Sequence, residues 1–420
     1  MEFIIKNVME VKKMKKFVLL IITVIFAFGI NSDLCYAKKA KTKKIIRKTE
    51  KVISAPKQSI VMDFDTGEVL FGTDLNEPCA PSSMTKIMTV YLVFEALVEG
   101  RLHLEDELPV SENAKSQEGS RSFFEAGSLV KVEDLIRSMI VHSGNDACVV
   151  IAEKMAGDEE AFANLMNEKA EQFGLKNTHF MNSTGLPEDS HYSTMYDLAI
   201  ITRHIIADFP EYYHYFSEKT FTANGITQQN RNTLIGNSLN VDGLKTGHTS
   251  AGGFGVVISG KKDGKRLIAI VNGCTSSKAR AIEANKMLAM GFNEYTPVKI
   301  ASQDSPIATA AVNFGKRDRV NLYVDEDINV SIPKKYRQSL VVGINVKEPI
   351  PSPVLAGSKV GTLTYKYGNF SSKEYDLFVH EPVAKLNVFE IVLLKIKSLF
   401  SNKRSNIETP IGLETNANAK

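Results

Sequence analysis

The chain has 420 residues, of which 43% are hydrophobic and 24% charged, and its formal net charge at pH 7 is +3. This is the composition of an ordinary globular protein with room for about two or three domains. A charge so close to neutral excludes a strongly basic nucleic-acid-binding chain, so no nucleic-acid partner is expected.

The first segment of the chain predicts export. A basic stretch, KKMKK, precedes the apolar run FVLLIITVIFAFGI and a small-residue site that ends at Ala37. Residues 1–37 are therefore interpreted as a signal peptide, with an uncleaved anchor as the alternative. The expected location is the outer face of the bacterial cytoplasmic membrane or the cell wall. Residues 38–54 follow as a basic linker.

Residues 55–296 predict one domain of mixed α/β (α+β) class. Two hairpins mark its ends, one turning at Asp65-Thr66-Gly67 and one at Asp263-Gly264. Between them lie an apolar helix over 83–97 and a mostly helical segment over 98–210. Strands at both ends, with helices between, indicate one sheet built from the two chain ends and a helical insertion.

The residue pattern changes after this domain. Short alternating strands such as RVNLYV and QSLVVGINV predict a small all-β domain over residues 297–384. Residues 385–400 then form an amphipathic stripe of apolar side chains opposite a polar face that carries lysines. We expect this C-terminal helix to lie in a membrane surface, with packing on its own β domain as the alternative. Residues 401–420 form a polar tail.

The N-terminal end of the apolar helix carries a possible nucleophile. In PSSMTKIMT, Ser83 and Lys86 are three residues apart, so both project from the same side of the first helical turn. A serine at a helix N-terminus can attack an acyl carbon while backbone N–H groups hold the developing oxyanion. A lysine acts as base only when neutral, which an apolar setting favours because burial lowers its pKa.

Two further motifs follow in order. VHSGNDACVV contains Ser143-Gly144-Asn145, and VDGLKTGHTSAGG contains Lys245-Thr246-Gly247 at the start or edge of a strand. With the serine and lysine above, they complete the S-x-x-K, S-x-N and K-T-G set of penicillin-interacting serine enzymes. Each motif alone is weak, since such residues also cap helices or lie in solvent, but the three together are specific.

The chain resembles the low-molecular-weight penicillin-binding proteins that act as serine D-alanyl-D-alanine carboxypeptidases. Longer strings carry this resemblance, namely PSSMTKIMT, HSGNDACVVIAE, GLKNTHFMNSTGL, QQNRNTLI and VDGLKTGHTSAGG. It is close over residues 55–296 and looser elsewhere. It implies a β-lactamase/transpeptidase-like domain with an antiparallel sheet and a helical insertion.

The resemblance also implies roles for the catalytic residues. Ser83 would be the acylated nucleophile and Lys86 its general base. Ser143 would relay a proton to the leaving amine. The backbone N–H groups of Ser83 and His248 would form the oxyanion hole.

The remaining positions would bind substrate. Asn145 would hydrogen-bond the substrate amide and position the base, and Lys245 would lower the pKa of the base and orient the substrate. Thr246 would contact the terminal carboxylate. Gly247 completes the K-T-G motif, although it could be only a strand-edge glycine. Arg266, after the Asp-Gly turn, is expected to bind the carboxylate, because a bidentate guanidinium suits that group.

The reaction implied is acyl transfer to water, in which the terminal D-alanine leaves a peptidoglycan stem peptide and β-lactams act as covalent inhibitors. One alternative is a class A-like β-lactamase, but its E-x-x-L-N segment is missing; the nearest string, GNSLN, has Gly236 in place of the glutamate. The other is an envelope protein that binds cell-wall peptides without turning them over, which the intact motifs disfavour.

No cofactor, metal site or disulfide framework is expected. The histidines are scattered, and neither H-E-x-x-H nor paired C-x-x-C occurs. Removal of the signal peptide leaves Cys79, Cys148 and Cys274, an odd number that suits buried free thiols better than disulfides.

Overall fold

A computed structural model describes residues 55–400, with side chains described up to residue 396. The expected signal peptide (1–37), basic linker (38–54) and polar tail (401–420) lie outside the described residues. The chain divides into two compact units after Asn293.

The first unit contains nine strands and seven α-helices among its described residues. The strands are β1 (Gln58–Asp63), β2 (Val69–Thr73), β3 (Glu107–Pro109), β4 (Leu129–Lys131), β5 (Thr220–Ala223), β6 (Ile226–Gln229), β7 (Val241–Thr249), β8 (Gly253–Lys262) and β9 (Lys265–Cys274). The helices are α1 (Lys86–Val98), α2 (Glu112–Ser116), α3 (Val132–Arg137), α4 (Asn145–Ala156), α5 (Glu159–Gln172), α6 (Met195–Asp208) and α7 (Ser277–Glu294).

The main sheet joins the two ends of this unit, as the sequence predicts. Its strand order is β2-β1-β9-β8-β7, and every pair is antiparallel. The β8–β9 hairpin turns at Asp263 and Gly264, both with positive φ, as a tight Asp-Gly hairpin requires. Because β7 is an edge strand, one side of its backbone is free to meet another element.

Helix α1 is buried along almost its whole length, from Lys86 to Leu97. A helix that is apolar all round belongs in a core rather than at a surface. The expected start at residue 83 differs slightly from the structure: Ser82–Thr85 form a 3-10 turn, and the α-helix begins at Lys86. Short 3-10 turns commonly begin α-helices.

The insertion is less helical than predicted. A small hairpin, β3–β4, interrupts it, and the stretch between α5 and α6, residues 173–194, contains no helix. Asn182 explains part of this, because its side chain accepts hydrogen bonds from the backbone N–H groups of Thr184 and Gly185. Such local side-chain bonds compete with helix formation.

The second unit is built from short strands around its own apolar core. The strands are β10 (Tyr295–Ala301), β11 (Ala308–Asn313), β12 (Arg319–Leu322), β13 (Ile328–Pro333), β14 (Val341–Val346), β15 (Ile350–Pro351), β16 (Lys359–Tyr367), β17 (Phe370–Ser371) and β18 (Tyr375–Phe378). They pair as β10-β13, β12-β11-β15 and β14-β16-β17, with β18 also on β16.

The last helix, α8 (Val388–Phe400), begins later than the expected residue 385. Lys385 still pairs with Gly315 in a β-bridge. Asn387 and Glu390 then form a reciprocal capping box, each side chain accepting from the other's backbone N–H at 2.7–2.8 Å. Across residues 55–400, every helix is too short or too polar to cross a membrane.

Candidate active site

The 3-10 turn and α1 bring the expected nucleophile and base together. Nζ of Lys86 lies 3.2 Å from Oγ of Ser83. Lys86 has no exposed surface, whereas Ser83 is the one residue of the 3-10 turn that is only half-buried. The hydroxyl therefore faces the outside of the core while the amine behind it is shielded from water.

The amine of Lys86 has two further partners. It donates to Oδ1 of Asn145 at 2.7 Å and to the carbonyl oxygen of Thr184 at 2.5 Å. Burial lowers the pKa of Lys86. A neutral amine has two N–H groups and one lone pair, so these two acceptors leave the lone pair available for the hydroxyl of Ser83.

Thr184 was not found from the sequence. The loop that carries it is pressed against the 3-10 turn, where a Cβ on Gly185 would stand 1.9 Å from the carbonyl oxygen of Ser82. Only glycine permits this approach, and Gly185 also has a positive φ of 79°. The contribution of Thr184 is a backbone carbonyl, which no side-chain pattern reveals.

The S-x-N motif forms the junction between a π-helix (Ser138–His142) and α4. Ser143 adopts a left-handed conformation with φ 73°, and its buried Oγ has no hydrogen-bond partner. Asn145 begins α4 and is fixed from both sides, donating through its backbone N–H to Ser120 and through Nδ2 to Glu118 at 2.6 Å. A strained, unpartnered hydroxyl indicates a functional position.

His142, which precedes Ser143, is not a charged group of the site. Burial lowers its pKa to about 4, assisted by the charges of Arg231 and Lys245. Its Nε2 lies 2.8 Å from Oγ of Ser122. The ring is a neutral, packed side chain.

The K-T-G motif lies within the edge strand β7. Lys245 and Thr246 are buried, and burial holds the pKa of Lys245 well below its usual range, with repulsion from Lys86 adding to the effect. A Cβ on Gly247 would stand 2.9 Å from the carbonyl oxygen of Pro81. Glycine is therefore required here so that β7 can approach the 3-10 turn.

His248 follows at the same strand edge. Its ring is exposed and stacks on Phe254 with centroids 3.9 Å apart. The ring therefore points to solvent, and its backbone is the part that continues β7 past the 3-10 turn.

Arg266 does not join the site, which corrects the sequence prediction. Thr246 faces Val256, which faces Val271 on β9, so Arg266 lies five residues further along that strand, about 17 Å at ~3.4 Å per residue. Its guanidinium forms a bidentate pair with Asp242 at 2.7–2.8 Å. Arg266 stabilises the far end of the sheet.

Arg280 on α7, unlike Arg266, lies beside the K-T-G motif. Its guanidinium donates to the carbonyl oxygen of Gly247 at 3.2 Å, and no carboxylate among residues 55–400 pairs with it. It lines a small cleft together with Thr246 and Arg231. Burial lowers its pKa to about 10, at which it is still a cation near neutral pH. The sequence gave no signal for it, because the contact depends on how α7 packs across β8.

The cysteines and potential metal ligands add no further chemistry. Cys148 and Cys274 are buried free thiols, as expected, and Cys79 is half-buried. Burial raises the pKa of Cys148 to about 12. Among residues 55–400 there is no group of three or more His, Cys, Asp or Glu side chains that could hold a metal ion.

Comparison with known proteins gives a consistent set of similarities. A family model described as D-alanyl-D-alanine carboxypeptidase (peptidase S11) matches residues 44–276, and one for the C-terminal domain of penicillin-binding protein 5 matches residues 295–385. D-alanyl-D-alanine carboxypeptidase DacD of Escherichia coli (strain K12) is 37% identical over 72% of this chain and 80% of its own length. DacF of Bacillus subtilis (strain 168) is 35% identical over 84% of this chain and 90% of its own length.

The solved structures agree with the sequence relatives. Penicillin binding protein 5 from Haemophilus influenzae superposes with a TM-score of 0.72 at 35% identity, covering 79% of this chain and 98% of that one. The similarity therefore extends over both units rather than over the motifs alone.

Proposed function

The chain belongs to the D-alanyl-D-alanine carboxypeptidase family of serine peptidases, and from this premise we propose that Ser83 is its acylated nucleophile and Lys86 the general base. The activity of the family is the removal of the terminal D-alanine from a peptide ending in D-Ala-D-Ala, and the chain is a penicillin-binding serine hydrolase. The 3.2 Å contact between the buried amine of Lys86 and the hydroxyl of Ser83 is the observation that carries the assignment.

Acylation begins with proton transfer from Ser83 to the lone pair of Lys86. The serine oxygen attacks the carbonyl carbon of the penultimate D-alanine, and the backbone N–H groups of Ser83 and His248 hold the oxyanion. Ser143 then relays this proton from Lys86 to the nitrogen of the terminal D-alanine, which leaves as its bond to the acyl carbon breaks. Its buried Oγ suits this role because no protein group competes for it.

Neutral Lys86 is maintained by its surroundings. Burial disfavours the charged amine of Lys86, and a positive charge on Lys245 in the same core would disfavour it further. Asn145 and Thr184 accept the two N–H groups and aim the lone pair at Ser83. Water hydrolyses the acyl-enzyme in the second half of the reaction, and the same serine forms the adduct with β-lactams.

The carboxylate of the substrate is bound on the β7 side of the site. Thr246 offers its hydroxyl, and Arg280 supplies the cation that the sequence interpretation had assigned to Arg266. The guanidinium of Arg280 is free of carboxylate partners among the described residues, whereas that of Arg266 is already neutralised by Asp242. Asn145 and Lys245 orient the peptide, and Gly247 allows β7 to lie beside the nucleophile.

The place of action is the bacterial cell envelope, where the homologous enzymes act on peptidoglycan. Residues 1–37 direct export in this proposal, and α8 lies in a membrane surface. Exposed apolar side chains support the second point, since Val388 and Phe389 are 79% and 77% exposed. Flotation of the protein with lipid vesicles, compared with a Phe389→Asp variant, tests the membrane contact.

One experiment tests the proposed chemistry. The purified protein is incubated with a fluorescent penicillin and, separately, with diacetyl-Lys-D-Ala-D-Ala. Covalent labelling and release of D-alanine are both expected, and both vanish in Ser83→Ala. Rapid turnover of penicillin would identify a β-lactamase instead, and peptide binding without labelling or release would identify a non-catalytic binding protein.

A further inference from the structure

The segment Glu118–Phe123 borders the S-x-N motif and is held in place from two directions. On one side, Asn145 donates to the carbonyl oxygens of Glu118 and Ser120. On the other side, the β5–β6 hairpin donates through Gln228 to the carbonyl of Arg121 at 2.9 Å and through Asn224 to that of Phe123 at 2.6 Å. The backbone between these anchors therefore has a fixed conformation next to the site.

The guanidinium of Arg121 in this segment has no anionic partner among residues 55–400. Its Nε is buried without a hydrogen-bond partner, and no carboxylate among residues 55–400 pairs with its guanidinium. Asp146, which contacts the same segment, accepts instead from the backbone N–H of Ser122 at 2.8 and 3.1 Å. A buried polar group without a partner requires an explanation, because such groups are rare in native structures.

Phe123 is strained as well as exposed. Its φ is 60°, in the left-handed region that a bulky aromatic residue rarely adopts, and 47% of its surface faces solvent. The guanidinium of Arg121 lies 5.2 Å from the centre of its ring. Strain that persists where nothing is buried points to a functional position. The two side chains form a cationic and aromatic pair, which we call the Arg121–Phe123 platform.

We propose that the Arg121–Phe123 platform is a subsite for a carboxylate-bearing residue of the acyl-donor peptide, which makes Arg121 a specificity-determining residue. The inference rests on the proposed function, because Asn145 binds the amide of the substrate there. Residues that precede the penultimate D-alanine then pass the segment that Asn145 contacts, on the side away from Arg280. The guanidinium pairs with the carboxylate, and the ring covers the adjoining aliphatic part of the peptide.

The test compares matched peptides that differ by one functional group. Each peptide ends in D-Ala-D-Ala and carries, either in D-glutamate or in meso-diaminopimelate before that end, a free carboxylate or its carboxamide. The wild-type protein is expected to prefer the carboxylate form of at least one pair by about tenfold in kcat/KM, as a charge-assisted hydrogen bond provides. The preference disappears in Arg121→Gln and returns in part in Arg121→Lys.

Two controls separate this inference from the proposed chemistry and from misfolding. Diacetyl-Lys-D-Ala-D-Ala has no carboxylate at these positions, so Arg121→Gln leaves its hydrolysis and the penicillin labelling unchanged. Arg101→Gln, at an exposed arginine paired with Glu99, leaves every preference unchanged. Loss of labelling in the wild type would refute the function itself rather than the subsite.

A second variant tests the strained backbone conformation of Phe123. Phe123→Asn places a residue that tolerates positive φ at this position, so the melting temperature stays equal or rises while kcat/KM for the preferred peptide falls. The inference is overturned if the wild-type protein does not distinguish carboxylate from carboxamide in either pair, or if the preference survives in Arg121→Gln.

Discussion

The carbonyl oxygen of Thr184 accepts a hydrogen bond of 2.5 Å from the amine of Lys86. This contact joins the loop after α5 to the base of the site, and with Asn145 it uses both N–H groups of a neutral amine. The lone pair is left facing Ser83. This geometry, together with the pKa that burial lowers, suits Lys86 to the proposed role of base.

Replacement of the base is the first test of this arrangement. Lys86→Ala is expected to lower the rate constant for acylation by benzylpenicillin by about 10²–10⁴-fold, the range for loss of general-base catalysis. The protein still folds, because the variant removes a buried amine and not a packed ring. Stopped-flow or gel-based labelling measures the rate, and a loss smaller than tenfold would exclude Lys86 as the base.

The pH profile tests the second lysine. Burial lowers the pKa of Lys86 below its ordinary value of 10.5. The acylation rate is therefore expected to rise with pH as the amine loses its proton. Repulsion between Lys86 and Lys245 is mutual, so Lys245→Gln raises the pKa of Lys86 and moves the rising limb to higher pH. A limb that stays in place or moves to lower pH contradicts this account.

The same shifts have a consequence for stability. Between the lowered pKa of each lysine and 10.5, the unfolded chain binds more protons than the folded chain, so stability rises with pH over this interval. Replacing Lys245 by methionine removes a buried amine whose protonation is disfavoured in the folded chain. The gain in stability, measured by urea unfolding, should be larger at pH 7 than at pH 10; an equal or reversed difference would contradict burial as the cause.

Gly247 is expected to accept no side chain. In Gly247→Ala the new Cβ would stand 2.9 Å from the carbonyl oxygen of Pro81 and 3.1 Å from Cβ of Ser82, at the start of the 3-10 turn that carries Ser83. The clash should destabilise the protein by about 1–3 kcal/mol and slow acylation as β7 moves away. Gly343→Ala is the control, because its new Cβ would meet Thr364 alone, with the hydroxyl at 3.2 Å and the carbonyl oxygen at 3.9 Å. Equal effects of both substitutions would count against a close approach at Gly247.

Substitution of Arg280 and of Arg266 is expected to have opposite effects on activity and stability. Arg280→Gln should lower kcat/KM for a D-Ala-D-Ala peptide by about 10–100-fold through loss of a charged partner for the carboxylate. Arg266→Gln should keep the activity but reduce stability by about 1–3 kcal/mol, because Asp242 loses its bidentate partner. Steady-state kinetics and thermal unfolding of both variants decide the matter, and a larger kinetic defect in Arg266→Gln would restore the original assignment.

The sequence allowed prediction of those site residues that belong to short motifs. Ser83 and Lys86 share one helical turn, and that local geometry follows from their spacing. The prediction for Arg266 failed because the position of this residue relative to β7 depends on the register of three strands, which no local pattern determines. Arg280 depends on the packing of α7, and Thr184 contributes only a backbone carbonyl, so both required the folded structure.

The irregular segment before α6 illustrates the same limit in the fold. Its composition is compatible with helix breaks, but the actual path follows from side-chain bonds such as those of Asn182. Tertiary contact then fixes it, since Gly185 must fit against the carbonyl of Ser82. The sheet, by contrast, was predictable because alternating strands and an Asp-Gly turn are local signals.

Identification of the acylated residue tests the central claim most directly. The purified protein is incubated with benzylpenicillin, digested and examined by tandem mass spectrometry of the peptide that spans residues 79–90. The account predicts a single penicilloyl adduct on Ser83. An unmodified peptide, or an adduct on any other side chain, would contradict it.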